Sequence, residues 1–229
     1  MSKMTSVVAF ISQKGGVGKS TLARALVASA MRVGLAVKTV DLDPQQATIA
    51  VWAQARERYK VSPSIKVEAF ASAKDVLPIA GSEQIHVIDT RGTIRDEVTE
   101  IAAYAQLLVQ PTSPTVDDLY PAVLVFRALE NVGISRNKLV FALCRTLATD
   151  EASDARAYLT GLGYRVLAGD VPEHLEYRKA MNEGRAITEV TQPFLAARAE
   201  TMIADLLAMI RLSPHQACTP PEELRSATG

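Results

Sequence analysis

The feature that most constrains this chain is a glycine-rich loop that follows a short apolar run near its start. Residues 7–12 predict a buried strand, and residues 13–21 read Gln-Lys-Gly-Gly-Val-Gly-Lys-Ser-Thr. A strand that turns through glycines into a helix wraps backbone N–H groups around a phosphate, because glycines let the backbone approach the anion closely. We therefore predict that the phosphates of a nucleotide are held by Lys14, Gly15, Gly16, Val17, Gly18, Lys19, Ser20 and Thr21.

The loop carries two lysines, and their positions predict different tasks. Lys19 can reach the β- and γ-phosphates, and the Ser20 hydroxyl can ligate Mg²⁺. The general pattern places a glycine where this chain has Gln13, and Lys14 follows as a second cation. Lys14 is either a solvated surface charge or a cation for the γ-phosphate, and cations supplied in trans are worth about 10³–10⁵ in rate. We favour a nucleotide switch that a partner subunit completes.

Segments of strand and helix type alternate along the rest of the chain. A helix is predicted over residues 19–33, with Gly34 as its stop, and another carries Ile49, Trp52 and Ala53. Alternating strands and helices favour an α/β fold, a doubly wound, mostly parallel sheet with helices on both faces. The other predicted segments are strands over 35–40, 65–70, 85–88, 107–109 and 139–143 and a helix over 116–129.

Composition and length set the class of protein. The 229 residues, 48% of them hydrophobic, suffice for one packed domain, which we place at residues 1–212. Residues 213–229 are rich in Pro, Ser, Thr and charge and predict a disordered tail. Cys144 and Cys218 fit no disulfide framework or metal spacing, which indicates a cytoplasmic protein. With no leader and no apolar run near the roughly 20 residues of a membrane span, we expect no membrane partner.

Acidic residues follow two of the predicted strands. Asp89 closes the strand over 85–88, and Asp41 and Asp43 follow the strand over 35–40. Ligands of open α/β sheets bind beyond the carboxyl ends of the strands, so we expect these side chains in one crevice. One acid would support Mg²⁺ and another would orient or deprotonate the attacking water, unless the acids only cap the following helices. The predicted Mg²⁺ ligands are Ser20, Asp41 and Asp89, and Lys14 and Lys19 are the predicted catalytic cations, whereas the spacing leaves open which acid acts on the water.

Together these motifs resemble those of the deviant-Walker P-loop ATPases of the ParA/MinD family. Residues 14–21 match the signature loop at every position, residues 41–45 look like the second motif, and residues 87–90 look like Walker B. The resemblance runs from about residue 5 to residue 210. It implies slow, partner-stimulated hydrolysis of ATP to ADP with Mg²⁺, in a homodimer that forms face to face with ATP. It also implies that Lys14 reaches the partner's phosphates, that Asp43 positions the water, and that Asp89 belongs to the Mg²⁺ shell.

Within that family, the short length and Trp52 resemble the small ParA branch used in plasmid partition. This branch lacks an N-terminal helix-turn-helix domain, and about six residues precede the first predicted strand here. A shared iron–sulfur cluster would need more cysteines than Cys144 in the body of the chain. Residues 220–224, Pro-Pro-Glu-Glu-Leu, do not fit the amphipathic membrane helix of a MinD-type protein. Arg91 departs from the family pattern, and it either belongs to a cationic switch segment or pairs with a surface acid.

The resemblance also implies that the ATP-bound dimer binds DNA without sequence preference, through a basic surface whose affinity falls with salt. The chain has 25 Lys plus Arg and 25 Asp plus Glu, a balance that neither supports nor excludes such a surface. We expect a nucleoid-associated partition ATPase that a centromere-binding or cargo adaptor protein stimulates. The alternatives are a MinD-like membrane-associated positioning ATPase and a metabolic P-loop phosphotransferase. The candidate DNA-binding residues are Arg178, Lys179, Arg185 and Arg198, although Glu173, Glu176, Glu183 and Glu200 interleave with them and suggest ordinary solvated helix faces.

Overall fold

A parallel sheet forms the centre of the protein. The computed structural model describes residues 5–76, 83–92 and 95–212, so the predicted tail over 213–229 lies outside the described residues. The described strands are β1 (Ser6–Phe10), β2 (Val37–Asp41), β3 (Val67–Ala69), β4 (Ile85–Asp89), β5 (Leu107–Thr112), β6 (Leu139–Thr146), β7 (Arg165–Val166) and β8 (Val171–Pro172). Their order is β3-β2-β4-β1-β5-β6-β7, with β8 paired to β6, and every pair is parallel.

Helices cover both faces of this sheet. They are α1 (Lys19–Arg32), α2 (Thr48–Arg58), α3 (Arg95–Tyr104), α4 (Val116–Asn131), α5 (Thr149–Gly161), α6 (Leu175–Asn182) and α7 (Pro193–Leu212). Val8 and Phe10 of β1 pack into one core with α1, α2, α6 and α7, whereas Val7 and Ala9 pack into a second core with α3, α4 and α5. Successive strand side chains point to opposite faces, so this division confirms the predicted doubly wound sheet. Within the described ranges, no helix has the length and apolar character needed to cross a membrane.

The predicted elements are present, with bounds shifted by a few residues. α1 ends at Arg32, and Gly34 has a φ of 82°, as expected for a helix stop. β5 and β6 each run three residues past their predicted ends, because pairing between these strands continues to Thr112 and Leu143 and β6 then pairs with β8. The pattern did not locate α3, α5, α6 or α7. In α5 only Ala152, Ala155 and Leu159 are buried, which gives a weak helical signal.

A buried ion pair ties α2 to the segment after α6. The Arg56 guanidinium is fully buried and donates to both carboxylate oxygens of Glu189, at 2.6 and 2.8 Å. It also donates to the carbonyl groups of Ser62, Pro63 and Gly184. Gly184 lies so close to α2 that a Cβ there would stand 2.2 Å from the Arg56 Cα. The close approach of these two segments therefore depends on a glycine at position 184.

We expect Gly184→Ala to lower the melting temperature strongly, since the methyl group would collide with the α2 backbone. The matched control is Gly133→Ala, where φ is 87° but no atom lies within 4 Å of the added Cβ. In the control, the free energy of unfolding should fall only by what the left-handed conformation costs alanine, about 1–2 kcal/mol. Thermal unfolding followed by circular dichroism measures both variants, and equal losses would contradict the close approach.

Candidate functional site

The loop between β1 and α1 has the shape that its glycines predict. Gly16 and Gly18 have φ values of 73° and 116°, which side chains with a Cβ rarely adopt. Gly18 directly precedes α1, and its carbonyl accepts the N–H of Leu22 at 2.9 Å. The first N–H groups of an α-helix have no partner inside the helix, and the helix dipole adds partial positive charge there. The loop and the start of α1 therefore form a site for an anion.

A cavity of about 270 Å³ opens beside this loop. Lys19 and Ser20 of α1, Asp43 from the loop after β2, and Asp89 at the end of β4 contribute to its walls. Lys19 is only 8% exposed, and its ammonium group donates to the Lys14 carbonyl at 3.3 Å. Burial lowers the pKa of Lys19, while Asp89 and Asp43 raise it. The structure thus brings the predicted phosphate lysine and two of the predicted acids into one cavity.

The carboxyl group of Asp89 has the surroundings of a cation ligand. It lies level with Phe10 and Asp41, because β4 pairs with both β1 and β2. Burial raises the pKa of Asp89 to about 7, against a hydrogen bond with Ser20 that lowers it. The Oδ1 atom is buried and has no hydrogen-bond partner among the residues described. A buried carboxylate oxygen beside a hydroxyl group is a donor set that fits Mg²⁺.

Asp41 and Asp43 have different contacts. Asp41 is fully buried, and its two carboxylate oxygens accept the N–H groups of Asp43 at 2.9 Å and Ile49 at 3.1 Å. These bonds fix the loop after β2 and the first turn of α2, and they favour an anchoring role over direct Mg²⁺ ligation. Asp43 lines the cavity, and its Oδ1 atom accepts the N–H of Gln46 at 3.2 Å. Asp43 is therefore the acid of this motif that the structure presents to the cavity.

A second cavity, of about 350 Å³, lies beside the same loop. Gly16, Gly18, Thr21 and Met181 line both cavities, so one extended ligand can occupy the two together. Mostly apolar walls with a few polar groups suit a nucleotide base. The sequence reasoning missed this cavity, since its walls come, besides the loop, from segments that are far apart in sequence, at the end of β6, at β8, in α6 and at Ile187. They include Cys144, Arg145, Val171, Pro172 and Tyr177.

Lys14 does not line the cavity that holds Lys19. Its side chain is 46% exposed, and its ammonium group donates to the Asp117 carbonyl at 2.7 Å and to the Asp118 carboxylate, at the start of α4. Burial raises the pKa of Asp118, but hydrogen bonds from Lys14 and Ser113 outweigh it and leave that pKa below its usual value. The two lysines of the loop therefore lie in separate environments.

Arg91 pairs with an acid and also lines the phosphate cavity, so the alternative of a cationic switch segment stays a prediction. Its Nε atom donates to Glu97 at 3.2 Å, and its Nη2 atom donates to the Ala71 carbonyl. Glu97 is 8% exposed, so this acid is buried and does not lie on the surface. Glu97 also accepts the N–H of Ala73 at 3.2 Å. Arg91 and Glu97 thus connect the segment after β4 to the segment after β3.

The four predicted DNA-binding cations all take part in ion pairs. Arg178 and Lys179 are the more exposed, at 63% and 57%, whereas Arg185 and Arg198 are 35% and 24% exposed. Glu200, named above as an interleaving acid, pairs with Arg32 of α1. These contacts agree with the alternative of solvated helix faces, and the DNA-binding role stays a prediction. The pairs are Arg178–Glu173, Lys179–Glu176, Arg185–Glu183 and Arg198–Asp170.

Known proteins share this fold. The family model of the CobQ/CobB/MinD/ParA nucleotide binding domain matches residues 8–207, whereas no curated protein sequence matches the chain. A plasmid partition protein from Borrelia burgdorferi B31 bound to AMPPNP is 14% identical, with a TM-score of 0.68 over 89% of this chain and 99% of that one. MinD from Pyrococcus horikoshii complexed with Mg-ADP is 16% identical, with a TM-score of 0.70 over 92% and 100%. Apo McdA from Cyanothece is 15% identical, with a TM-score of 0.65 over 88% and 99%.

We expect Asp89→Asn to stabilise the nucleotide-free protein at pH 8. The raised pKa means that the folded protein holds the Asp89 proton more tightly than the unfolded chain does, so stability falls as pH rises from about 4 to about 7. Asparagine removes this cost, which is on the order of 4 kcal/mol. Thermal unfolding in a chelator across this pH range tests the effect. The control variant is Asp43→Asn, which removes a negative charge from the same cavity wall. An Asp89→Asn protein that is less stable than the wild type at pH 8 would contradict the raised pKa of Asp89.

Proposed function

The chain belongs to the family of CobQ/CobB/MinD/ParA nucleotide binding domains, and within this family we propose that it is a ParA-like partition ATPase. In this proposal the protein hydrolyses ATP slowly and forms a homodimer when ATP is bound. The dimer binds DNA without sequence preference, as a nucleoid-associated protein. An adaptor on the cargo, such as a centromere-binding protein, accelerates hydrolysis and releases the dimer from DNA.

The residues of the two cavities supply the parts that ATP hydrolysis needs. Asp89 and Ser20 would hold Mg²⁺, which neutralises charge on the β- and γ-phosphates when it is bound. Lys19 contacts the phosphates from its own subunit, and Asp43 orients the attacking water. Asp41 anchors the Asp43 loop from behind, and the direct Mg²⁺ ligand role that the sequence suggested for it stays a prediction. The base lies in the second cavity, between the end of β6 and α6.

The observation that carries the proposal is the position of Lys14. Lys19 already serves the phosphate cavity of its own subunit, so the exposed Lys14 has no task there. The Lys14 side chain is 46% exposed, although Asp118 is only 14% exposed, and ion pairs that water reaches contribute about 0–1 kcal/mol. A γ-phosphate in a second subunit offers Lys14 more negative charge than Asp118 does. Exchange of Asp118 for that phosphate would link nucleotide binding to dimer formation.

We expect the wild-type protein to change from monomer to dimer with Mg²⁺ and a slowly hydrolysed ATP analogue. Lys14→Ala should stay monomeric, because its dimer would lack the cross-subunit phosphate contact. Asp43→Ala should accumulate as a dimer with ATP itself, because hydrolysis is slowed. Size-exclusion chromatography with light scattering measures all three.

Calorimetry distinguishes a variant that does not bind nucleotide from a variant that binds nucleotide but does not form the dimer. Lys14→Ala should still bind the analogue, whereas Lys19→Ala, which lacks the phosphate contact in its own subunit, should not. A wild-type protein that binds the analogue and remains monomeric would rule out the proposed switch.

DNA binding follows from the same dimer. Exposed ion pairs such as Arg178–Glu173 and Lys179–Glu176 are weak, so DNA phosphates can compete for these cations. One weak patch on a chain with zero net charge gives little affinity, but two patches held in a rigid dimer raise it through effective concentration. Nucleotide would then control DNA residence by controlling dimer formation.

We expect Lys179→Glu to weaken DNA binding equally on two unrelated duplexes while nucleotide affinity stays unchanged, because Lys179 lines neither cavity. Arg32→Glu is the control, since Arg32 is also an exposed cation in an ion pair but lies near the end of α1. Fluorescence anisotropy with ATP and with ADP, across a salt series, is the measurement. Equal binding in the two nucleotide states, or an affinity independent of salt, would exclude the DNA-binding part of the proposal.

A further inference from the structure

Arg24 is a cation in the phosphate cavity that the chemistry above does not use. It stands one helical turn after Ser20 on α1 and lines the cavity with Asp43 and Asp89. Residues four apart share one face of a helix, and their side chains lean toward its N-terminus. Burial lowers the pKa of Arg24 to about 10, while Asp89 and Asp41 raise it, so the guanidinium stays charged at neutral pH.

The contacts of Arg24 lead from this cavity to α2. Its Nη2 atom donates to the carbonyl of Thr48, the first residue of α2, at 2.5 Å. The guanidinium carbon lies 5.7 Å from the centroid of the Trp52 ring. The Nε atom is buried and has no hydrogen-bond partner in the described part of the chain. Arg24 thus donates to α2 through one nitrogen, keeps a second, buried nitrogen without a partner among the described residues, and lies in the wall of the phosphate cavity.

Trp52 is held from its other side as well. The Arg56 guanidinium lies 5.4 Å from the same ring, and the indole N–H donates to the Arg185 carbonyl at 3.1 Å. The Arg56–Glu189 ion pair fixes this end of α2 to the rest of the protein. Because the Arg56 end of α2 is fixed, a shift of the first turn of α2 at Thr48 is passed to the adjoining Asp43 loop.

We propose that Arg24 is a positioning residue that couples the phosphates of bound nucleotide to the Asp43 loop through the Thr48 carbonyl. A phosphate oxygen in the cavity accepts a hydrogen bond from the Arg24 guanidinium, which lies in the cavity wall. The planar guanidinium then bonds to the nucleotide and to the start of α2 together, which a lysine cannot do with the same geometry. Asp43 is held where it orients the attacking water. This inference rests on the proposed nucleotide site.

The test uses the fluorescence of Trp52, which is the only tryptophan of the chain. In the wild type, Mg²⁺ with a slowly hydrolysed ATP analogue should change its emission, because the adjacent guanidinium gains a new partner. Arg24→Gln should still bind the analogue in calorimetry, with a loss of affinity well below that of Lys19→Ala, but lose most of this change. Its kcat for ATP should fall about tenfold, more than its KM rises, because Asp43 is no longer held where it orients the attacking water.

Two further variants complete the experiment. Arg32→Gln, on the same helix but exposed and paired with Glu200, should behave as wild type in every measurement. Arg24→Lys keeps the charge without the planar fork and should also lose most of the emission change and of kcat. Circular dichroism checks the fold of each variant, and Arg24→Lys decides the matter if Arg24→Gln does not fold.

Three results would overturn the proposal. The first is a normal emission change and a normal kcat in either Arg24 variant. The second is a loss of nucleotide affinity as large as that of Lys19→Ala, which would make Arg24 a plain phosphate ligand. The third is a wild-type protein that does not bind the analogue in calorimetry, and only this result would also defeat the proposed nucleotide site.

Discussion

The pairing of β4 between β1 and β2 decides where this protein can do chemistry. Phe10, Asp41 and Asp89 stand at the same level in these strands, so the glycine loop, the Asp43 loop and Asp89 leave the sheet at one edge. A slip of one residue would turn every side chain of a strand to the opposite face, and both faces here are covered by helices. The two cores therefore hold the register, and the register assembles the cavity.

The cations of the site differ in burial, and we assign them different tasks accordingly. Lys19 and Arg24 lie in the cavity close to Asp89, where a low dielectric strengthens their interactions with phosphate. Lys14 stands outside this cavity, and its half-exposed side chain pairs with Asp118, which is 14% exposed. Within our proposal, the inner cations bind and position the nucleotide of their own subunit, and Lys14 exchanges Asp118 for the nucleotide of the second subunit.

Local features could be predicted from the sequence, and features that join distant segments could not. The glycine loop and the strand-end acids are each contained in a few consecutive residues, so their spacing alone indicates phosphate and metal chemistry. The second cavity and the Arg24–Trp52 contact require the fold, because their residues are distant in sequence. Asp41 shows the same limit, since its bond to Ile49 spans eight positions and gives it an anchoring role that spacing did not reveal. Similarly, the pairing of Arg198 with Asp170 crosses from α7 to the segment before β8.

The central claim is that Lys14 exchanges Asp118 for the phosphates of a second subunit. A crystal structure of the protein with Mg²⁺ and a slowly hydrolysed ATP analogue tests it most directly. We predict a face-to-face dimer in which the Lys14 Nζ atom lies within hydrogen-bond distance of a phosphate oxygen on the partner's nucleotide. A nucleotide-bound protein in which Lys14 still contacts Asp118 of its own chain would contradict the account.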